Sequence, residues 1–379
     1  MADNNASLRI VLTGGGSGGH VYPLIAVAEA LEKRVIELKL PTELIYIGPK
    51  DAYGGLFASH GIHTRYIFAG KIRRYFSLQN IIDLPKFILG FVQALFTLYF
   101  IMPDVIFSKG GTGALPVILA GWFYRIPVVI HESDARPGLT NLTSARFAKK
   151  IYTSFKSAAY YFNPKRTEVS GAPMRTELLA GRTTRELAKE TLNFDPQQPL
   201  TLILGGSQGS TRINNFILEN LTAILKDTQV LHQTGVGNFR EVQKLSHAVL
   251  IDMPTQSRYQ PVNYFDKNLA VALTAADLVI TRSGSGTLFE LAAFGDPALL
   301  IPLPEAANDH QRLNAYEIAE AGGAIVIEET NLLPGIFLPQ LKGILDNAEL
   351  RAKMSAAATQ FFTPGAAEKI AAGIILAAA

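Results

Sequence analysis

Short runs of apolar, often β-branched residues recur along the chain, separated by longer stretches with a helical period. Residues 8–13, 44–47, 105–107 and 128–130 form such runs in the first half, and 200–204, 278–281 and 299–301 in the second. Each is too short for a helix, carries little polar alternation and is bounded by turn residues, so each predicts a strand buried on both faces. Helical patterns of ten or more residues lie between many of them. Strands alternating with helices predict parallel βαβ units and an α/β fold.

The chain begins twice. LRIVLTGGGSGGH (8–20) and LTLILGGSQGS (200–210) are each a strand that ends in a glycine-rich loop and runs on towards a helix. Two such starts predict two Rossmann-like domains. The expected division is 1–165 and 166–355, with a break near 163–173, where NPKRTEVSGAP interrupts the periodicity. The Ala-rich segment 356–379 is expected to pack back as a helix on the first domain.

One apolar run invites a membrane reading. Residues 87–102 contain only Gln93 and Thr97 as polar residues. A spanning helix needs about 20 apolar residues, so the favoured expectation is a buried helix packed on a sheet. The alternative is an interfacial patch, with Phe76, Ile81 and Leu84 as apolar contacts and Lys71, Arg73, Arg74 and Lys86 as cations. Charge bears on this. Residues 1–165 hold 18 Lys and Arg against 10 Asp and Glu, whereas the remainder holds 17 against 22. A basic first half suits a membrane surface or a phosphorylated substrate; nothing points to nucleic acid. The chain has no cysteine, which excludes disulfides and thiolate zinc sites. The N-terminal stretch has no basic segment ahead of its apolar run, so no signal peptide is expected and the chain should stay in the cytosol.

Glycine loops at strand ends let backbone amides approach a phosphate. The first, Gly14–His20, lacks the Gly-Lys-Ser/Thr ending of a P-loop, and no acidic ribose anchor follows a second strand. Nucleotide hydrolysis and a nicotinamide cofactor are therefore not expected. A further loop, 110–113, follows the strand ending near Ser108. His131-Glu132-Ser133-Asp134 closes the strand 127–130, where ligand contacts gather in α/β sheets; Glu132 is a candidate catalytic residue. Residues 281–287 make another strand-to-helix turn, whose amides would attract a diphosphate. His310, Gln311 and Asn314 share one helical turn. No Asp-x-Asp pair and no metal-ligand spacing occur. No metal or cofactor is therefore expected, and the diphosphate would rest on amides, a helix dipole and arginine.

These segments together resemble the MurG family of bacterial UDP-N-acetylglucosamine transferases, which make lipid II from lipid I. The resemblance rests on GGGSGGH (14–20), HESDARPGLTN (131–141), GAPMR (171–175), GGSQGS (205–210), RSGSGTLFELAAFGDPALLIPLP (282–304) and DHQRLNA (309–315). It implies a GT-B fold of two facing Rossmann-like domains, with UDP-GlcNAc held mainly by the second. Ser17, Gly18 and Gly19 would approach the sugar and diphosphate, and Asp134 the GlcNAc. Arg175 and Ser207 would serve the diphosphate, Ser285, Gly286, Thr287 and Leu288 would supply helix-start amides, Glu290 would bind the ribose hydroxyls, and Gln311 the sugar. Phe265 and Asp266 would lie near the uracil.

The reaction would be an inverting displacement. The 4-hydroxyl of the muramyl sugar of undecaprenyl-diphosphate-MurNAc-pentapeptide attacks the anomeric carbon, with His20 as candidate general base. The family implies a peripheral enzyme of the inner membrane's cytoplasmic face, on an anionic membrane surface, with other cell-wall synthesis enzymes as possible partners. Three departures bear on sugar and acceptor contacts: Asp134 where Asn is usual, Ser133 where Gln is common, and Thr112 where Tyr is frequent. They leave open a transferase acting on another lipid such as diacylglycerol. A UDP-GlcNAc 2-epimerase and a non-catalytic UDP-sugar binder are the more distant alternatives.

Overall fold

The computed structural model describes residues 7–379 apart from 17, 52, 71–78, 181, 207–208 and 266–267, and apart from the side chains of 79–82 and 176. The chain divides into two compact units, Met1–Arg175 with Thr363–Ala379, and Thr176–Phe362.

The first unit is built on a seven-stranded sheet. Its strands are β1 (Leu8–Thr13), β2 (Thr42–Gly48), β3 (His63–Tyr66), β4 (Val105–Ser108), β5 (Val128–Glu132), β6 (Lys150–Thr153) and β7 (Thr167–Val169). All pairings are parallel and the order is β3-β2-β1-β4-β5-β6-β7. Both faces of the central strands are covered, which is why β1, β2, β4 and β5 carry continuous apolar runs. Ile10 and Leu12 enter a core with Leu24, Tyr46 and Phe107. Val11, between them, points to the opposite core with Ile106, Ile130 and Val117.

The second unit repeats the plan. Its strands are β8 (Leu200–Leu204), β9 (Gln229–Gln233), β10 (Tyr259–Val262), β11 (Leu278–Thr281), β12 (Ala298–Leu300) and β13 (Ala324–Val326). The parallel order is β10-β9-β8-β11-β12-β13. In each unit the order reverses beside the first strand, between β1 and β4 and between β8 and β11. Ligands bind outside the carboxyl ends of strands at such a point.

Two expected boundaries move. β7 hydrogen-bonds to β6 and completes the first sheet, so the division shifts from 165/166 to 175/176. The helix Ala348–Thr359 packs on the helix Ser285–Phe294 of the second unit, so the return to the first unit begins at 363 rather than 356. The helix Ala366–Ala378 then lays Ala367, Ile370, Ala371, Ile374 and Ala377 on the first-unit core, a spacing that keeps them on one face. Gly373 within it meets Tyr152: a Cβ there would lie 1.8 Å from the phenol oxygen.

The run at 87–102 corrects the buried-helix expectation. It belongs to a helix, Gln79–Ile101, and only 17% of its most apolar window is buried. Ala94 and Leu98 join the first-unit core, and Gly90 lets the helix approach the Phe68 carbonyl, which a Cβ would meet at 2.0 Å. Leu84, Ile88, Val92, Phe96, Tyr99 and Phe100 are exposed. Ring contacts carry the patch through Phe100, Tyr99, Tyr124 and Phe123, and Trp122 is exposed on the neighbouring helix Ala114–Phe123. Window 83–101 is long and apolar enough to cross a membrane, but one side of it is committed to the protein core. Lys86 and Arg125 are exposed nearby. Phe76, Lys71, Arg73 and Arg74, and the side chain of Ile81, lie outside the described residues.

The C-terminal helix should be a structural element of the first unit. Ile374→Ala, at a fully buried position, is expected to destabilise that unit by about 2–5 kcal/mol, read as a lowered midpoint in urea unfolding.

Candidate functional site

At the carboxyl edge of the first sheet, the loops after β1, β4 and β5 are stitched together by backbone and side chains. Tyr46 Oη donates to the Gly14 carbonyl at 2.8 Å, and the Gly16 N–H donates to Asp51 at 3.2 Å. Gly111 has φ +90°, and a Cβ there would lie 2.4 Å from the Gly15 carbonyl, so the β1 and β4 loops touch through bare backbone. Gly18, Gly19 and His20 open the helix Gly18–Glu37. His20 is partly exposed and Gly19 exposed. The Arg175 guanidinium stacks 4.5 Å from the ring centre of Tyr22 on the same helix, so the 171–175 segment reaches the first glycine loop.

Glu132 is buried and its carboxylate organises the turn after β5. It accepts from the N–H of Asp134 at 3.0 Å, from the N–H of Gly138 at 3.1 Å and from Asn141 Nδ2 at 2.9 Å. Burial, followed by the charge of Asp134, pushes its pKa above the usual carboxylate range. His131 is also buried; its Nε2 meets the Gly171 carbonyl at 3.1 Å, and burial pushes its pKa well down. Lys109, directly after β4, is 2% exposed and donates to Ser133 Oγ. Burial pushes it down to about 8, against the opposing pull of Glu132 and Asp134. Asp134 itself is partly exposed on the turn.

In the second unit the edge forms a cavity of about 470 Å³ lined by Gly205, Gly206, Ser210, Arg212, Arg282, Gly284, Thr287 and Gln311, among others. Two helices start at its wall. Ser210 caps the helix Thr211–Glu219 by accepting from the Ile213 N–H, and Gly284 precedes the helix Ser285–Phe294. Helix starts carry unpaired N–H groups and a positive dipole end, the chemistry of an anion site. Arg282 is nearly buried and ties the wall together. It donates to Ser210 Oγ at 3.0 Å and to the carbonyls of Ile301 and Pro302 at 3.1 and 3.2 Å, and it pairs with Glu329. At the rim, Arg212 is clasped by Glu305 and Glu329.

Among the expected donor residues, Ser285, Gly286 and Thr287 form the first turn of the helix. The Leu288 N–H already bonds to the Gly284 carbonyl at 3.1 Å and its side chain is buried, so the helix-start donors are the three before it. Glu290 is partly exposed on the same helix. Gln311 Oε1 accepts from the Leu303 N–H at 3.1 Å, and the Ser283 hydroxyl bonds the Gln311 carbonyl at 2.7 Å, which fixes this residue against the cavity. Phe265 is held by its N–H to Gln233 Oε1 at 3.0 Å, while Gln233 Nε2 binds the Gly206 carbonyl. Ser17, Ser207 and Asp266 lie outside the described residues. Lys109, Gln233, Arg212 and the Arg282–Glu329 pair were not singled out in the sequence. A charged residue immediately after a buried strand run, as at 109 and 282, was the available signal.

The fold and these edges define a glycosyltransferase of two Rossmann-like units. Residues 10–153 match the glycosyltransferase family 28 N-terminal domain and residues 200–370 its C-terminal domain; the chain belongs to glycosyltransferase family 28. It is 34% identical over 343 residues to the UDP-N-acetylglucosamine–N-acetylmuramyl-(pentapeptide) pyrophosphoryl-undecaprenol N-acetylglucosamine transferase of Clostridium tetani, covering 90% of this chain and 91% of that one. It is 38% identical over 328 residues to the protein of the same name from Shouchella clausii, covering 86% and 87%. The crystal structure of Acinetobacter baumannii MurG superposes with a TM-score of 0.74 at 27% identity, covering 97% of this chain and 99% of that one. A UDP-GlcNAc 2-epimerase from Neisseria meningitidis also superposes, with a TM-score of 0.68, 97% and 100% coverage and 14% identity. At that identity the likeness is one of fold. The GT-B expectation from the sequence holds.

One buried histidine supports the wall of the second-unit cavity and sets a pH dependence. His232 bonds Tyr259 Oη through Nδ1 at 2.9 Å and Asn214 Oδ1 through Nε2 at 3.1 Å, and Asn214 in turn holds the Thr234 carbonyl. Burial pushes its pKa down to about 3. A depressed folded pKa favours folding above the unfolded value near 6.5, and that stability is lost as the pH falls below it. Between pH 7 and 5 the second unit should lose about 2 kcal/mol to this group. His232→Gln should flatten the dependence of melting temperature on pH over that window.

Proposed function

We propose that this protein transfers GlcNAc from UDP-GlcNAc to the 4-hydroxyl of the muramyl sugar of an undecaprenyl-diphosphate-linked MurNAc-pentapeptide, a step of peptidoglycan synthesis. The observation that carries this reading is the second-unit cavity, where two helix starts and a glycine loop meet at the sheet's reversal point under the clamp of Arg282. That chemistry suits the diphosphate of a nucleotide sugar.

In this reading Ser285, Gly286 and Thr287 offer amides to the diphosphate, with Ser207 and Arg175 as further contacts. Glu290 accepts from both ribose hydroxyls, and Gln311 binds the sugar. Asp266 and Phe265 border the base. In the first unit, Ser17, Gly18 and Gly19 bring backbone to the reacting groups, and Asp134 meets the transferred sugar. The acceptor hydroxyl oxygen forms a bond to the anomeric carbon and its proton passes to His20. The bond from that carbon to the diphosphate breaks, and UDP leaves with the electron pair from the opposite face. Glu132 acts here by holding the 133–141 turn.

The acceptor is lipid-linked, and we assign the exposed aromatic and aliphatic face of helix Gln79–Ile101, with Phe123, Trp122, Lys86 and Arg125, to contact with an anionic bilayer. Aromatic residues beside cations suit the membrane interface. The enzyme would then work as a peripheral protein on the cytoplasmic face of the inner membrane, near other cell-wall synthesis enzymes.

With UDP-GlcNAc, a short-chain lipid I analogue and no added metal, the enzyme should release UDP and form the disaccharide. Glu290→Ala should raise the donor KM about tenfold, a loss of about 1.4 kcal/mol. His20→Ala should lower kcat by about 10²–10⁴. Donor binding without disaccharide would move the acceptor to another lipid.

Membrane contact has its own readout. Phe96→Glu combined with Phe100→Glu should abolish flotation with phosphatidylglycerol-containing liposomes and leave turnover of the short-chain analogue in solution unchanged. Retained flotation would remove this face from the interface.

A further inference from the structure

Glu329 joins two arginines of the second unit. Its Oε2 pairs with Arg282 and its Oε1 with Arg212. Both arginines line the cavity at the carboxyl edge of the second sheet, and so does Glu305. The two guanidinium groups are held differently. Arg282 is nearly buried, and its donors go to two backbone carbonyls, Ser210 Oγ and Glu329. It is a fixed part of the wall. Arg212 is the second residue of the helix Thr211–Glu219, and its side chain is 56% exposed. Glu305 meets it as a fork: Nη2 donates to Oε1 at 2.6 Å and Nη1 to Oε2 at 3.2 Å. Glu305 is itself 59% exposed, on the loop between β12 and the helix His310–Glu320.

A guanidinium fork binds a carboxylate and a phosphate through the same parallel N–H···O geometry. An ion pair exposed on both sides contributes little to stability, and Glu305 can leave it by rotating its own side chain, with no shift of backbone. Glu329 holds Nη1 from the other side and so keeps the guanidinium at the cavity. Charge points the same way. At this wall two guanidinium groups are matched by two carboxylates; once Glu305 turns away, the wall carries a net positive charge, which suits a diphosphate.

We propose that Arg212 is a further diphosphate-binding residue of the donor site, and that Glu305 competes with the diphosphate for its guanidinium, weakening the hold on UDP so that the product can leave. This rests on the reading that the second-unit cavity takes the diphosphate of a nucleotide sugar. Arg212 and Glu305 then act as a pair: the arginine adds grip, and the glutamate limits it.

The test is calorimetric titration of UDP into the full-length enzyme and its Glu305→Ala, Arg212→Met and doubly substituted variants, with melting temperatures read alongside. Glu305→Ala should tighten the Kd of UDP about tenfold, and Arg212→Met should weaken it about tenfold. In the double variant the gain should vanish and the Kd should match that of Arg212→Met, a non-additivity expected of groups that act on one another. An unchanged Kd in either single variant would overturn the proposal. So would a tightening of the same size when Glu305→Ala is added to Arg212→Met, since Glu305 would then be a general repulsive charge and not a competitor for Arg212. Should Arg212→Met lower the melting temperature, Arg212→Gln takes its place in the cycle: it keeps a donor for Glu329 without the fork or the charge, and the same loss of the Glu305 effect is expected. No UDP binding by any of the four proteins would sink the reading of the cavity itself, whereas binding that ignores Glu305 and Arg212 would sink this inference alone.

Discussion

The carboxyl edge of the second unit's sheet depends on a single buried guanidinium. Arg282 reaches Ser210 at the start of one helix, the carbonyls of Ile301 and Pro302 after β12, and the carboxylate of Glu329. Those groups come from two strand ends, after β8 and β12, and the turn after β13. A planar fork with five donors can hold several acceptors at fixed angles, which a flexible ammonium cannot. Without it, two backbone carbonyls and a carboxylate would face the interior with fewer donors, and the cap of the helix Thr211–Glu219 would lose its partner.

The first unit places a cation at the corresponding point of its sheet. Arg282 is the residue after β11, the strand that pairs with β8; Lys109 is the residue after β4, the strand that pairs with β1. Both sit where strand order reverses. The carboxyl ends of parallel strands converge there, and their carbonyls and polar side chains collect. The two solutions differ in what they hold. Arg282 gathers backbone carbonyls at the wall of the second-unit cavity, whereas Lys109 donates to Ser133 on a turn whose shape Glu132 sets.

Burial also separates two apolar segments that look alike as sequence. Ala366–Ala378 and Gln79–Ile101 both have the composition of helices that belong in a core. The first fits between the helix Gly18–Glu37 and Tyr152 because Gly373 removes a side chain at the closest approach. The second meets the sheet along one side only, through Gly90, Ala94 and Leu98, and its remaining faces are left to solvent. Apolar surface of that extent is unfavourable in water, and it is the face assigned to membrane contact in the proposed function.

The sequence by itself determined the α/β class, the repeated strand-to-glycine-loop start and seven of the described strands, because burial on both faces leaves an unbroken apolar run. It also placed glycine-rich loops after β1, β4 and β8 and identified the family, since its motifs are long and ordered. Only the tertiary structure decided the rest. β3, β7, β10 and β13 are short and lie at sheet edges, where burial is incomplete and the apolar signal is weak, and β6 and β9 lie inside their sheets but carry polar residues such as Lys150, Gln229, His232 and Gln233 that break the apolar run. The unit boundaries followed hydrogen bonding of β7 and packing of Ala348–Thr359, neither of which leaves a mark in composition. The roles of Lys109 and Arg282 depend on residues about 20 to 70 positions away coming within hydrogen-bonding distance, and a buried charge reads in sequence as any surface charge does. Partner groups, brought together by the fold, make the difference.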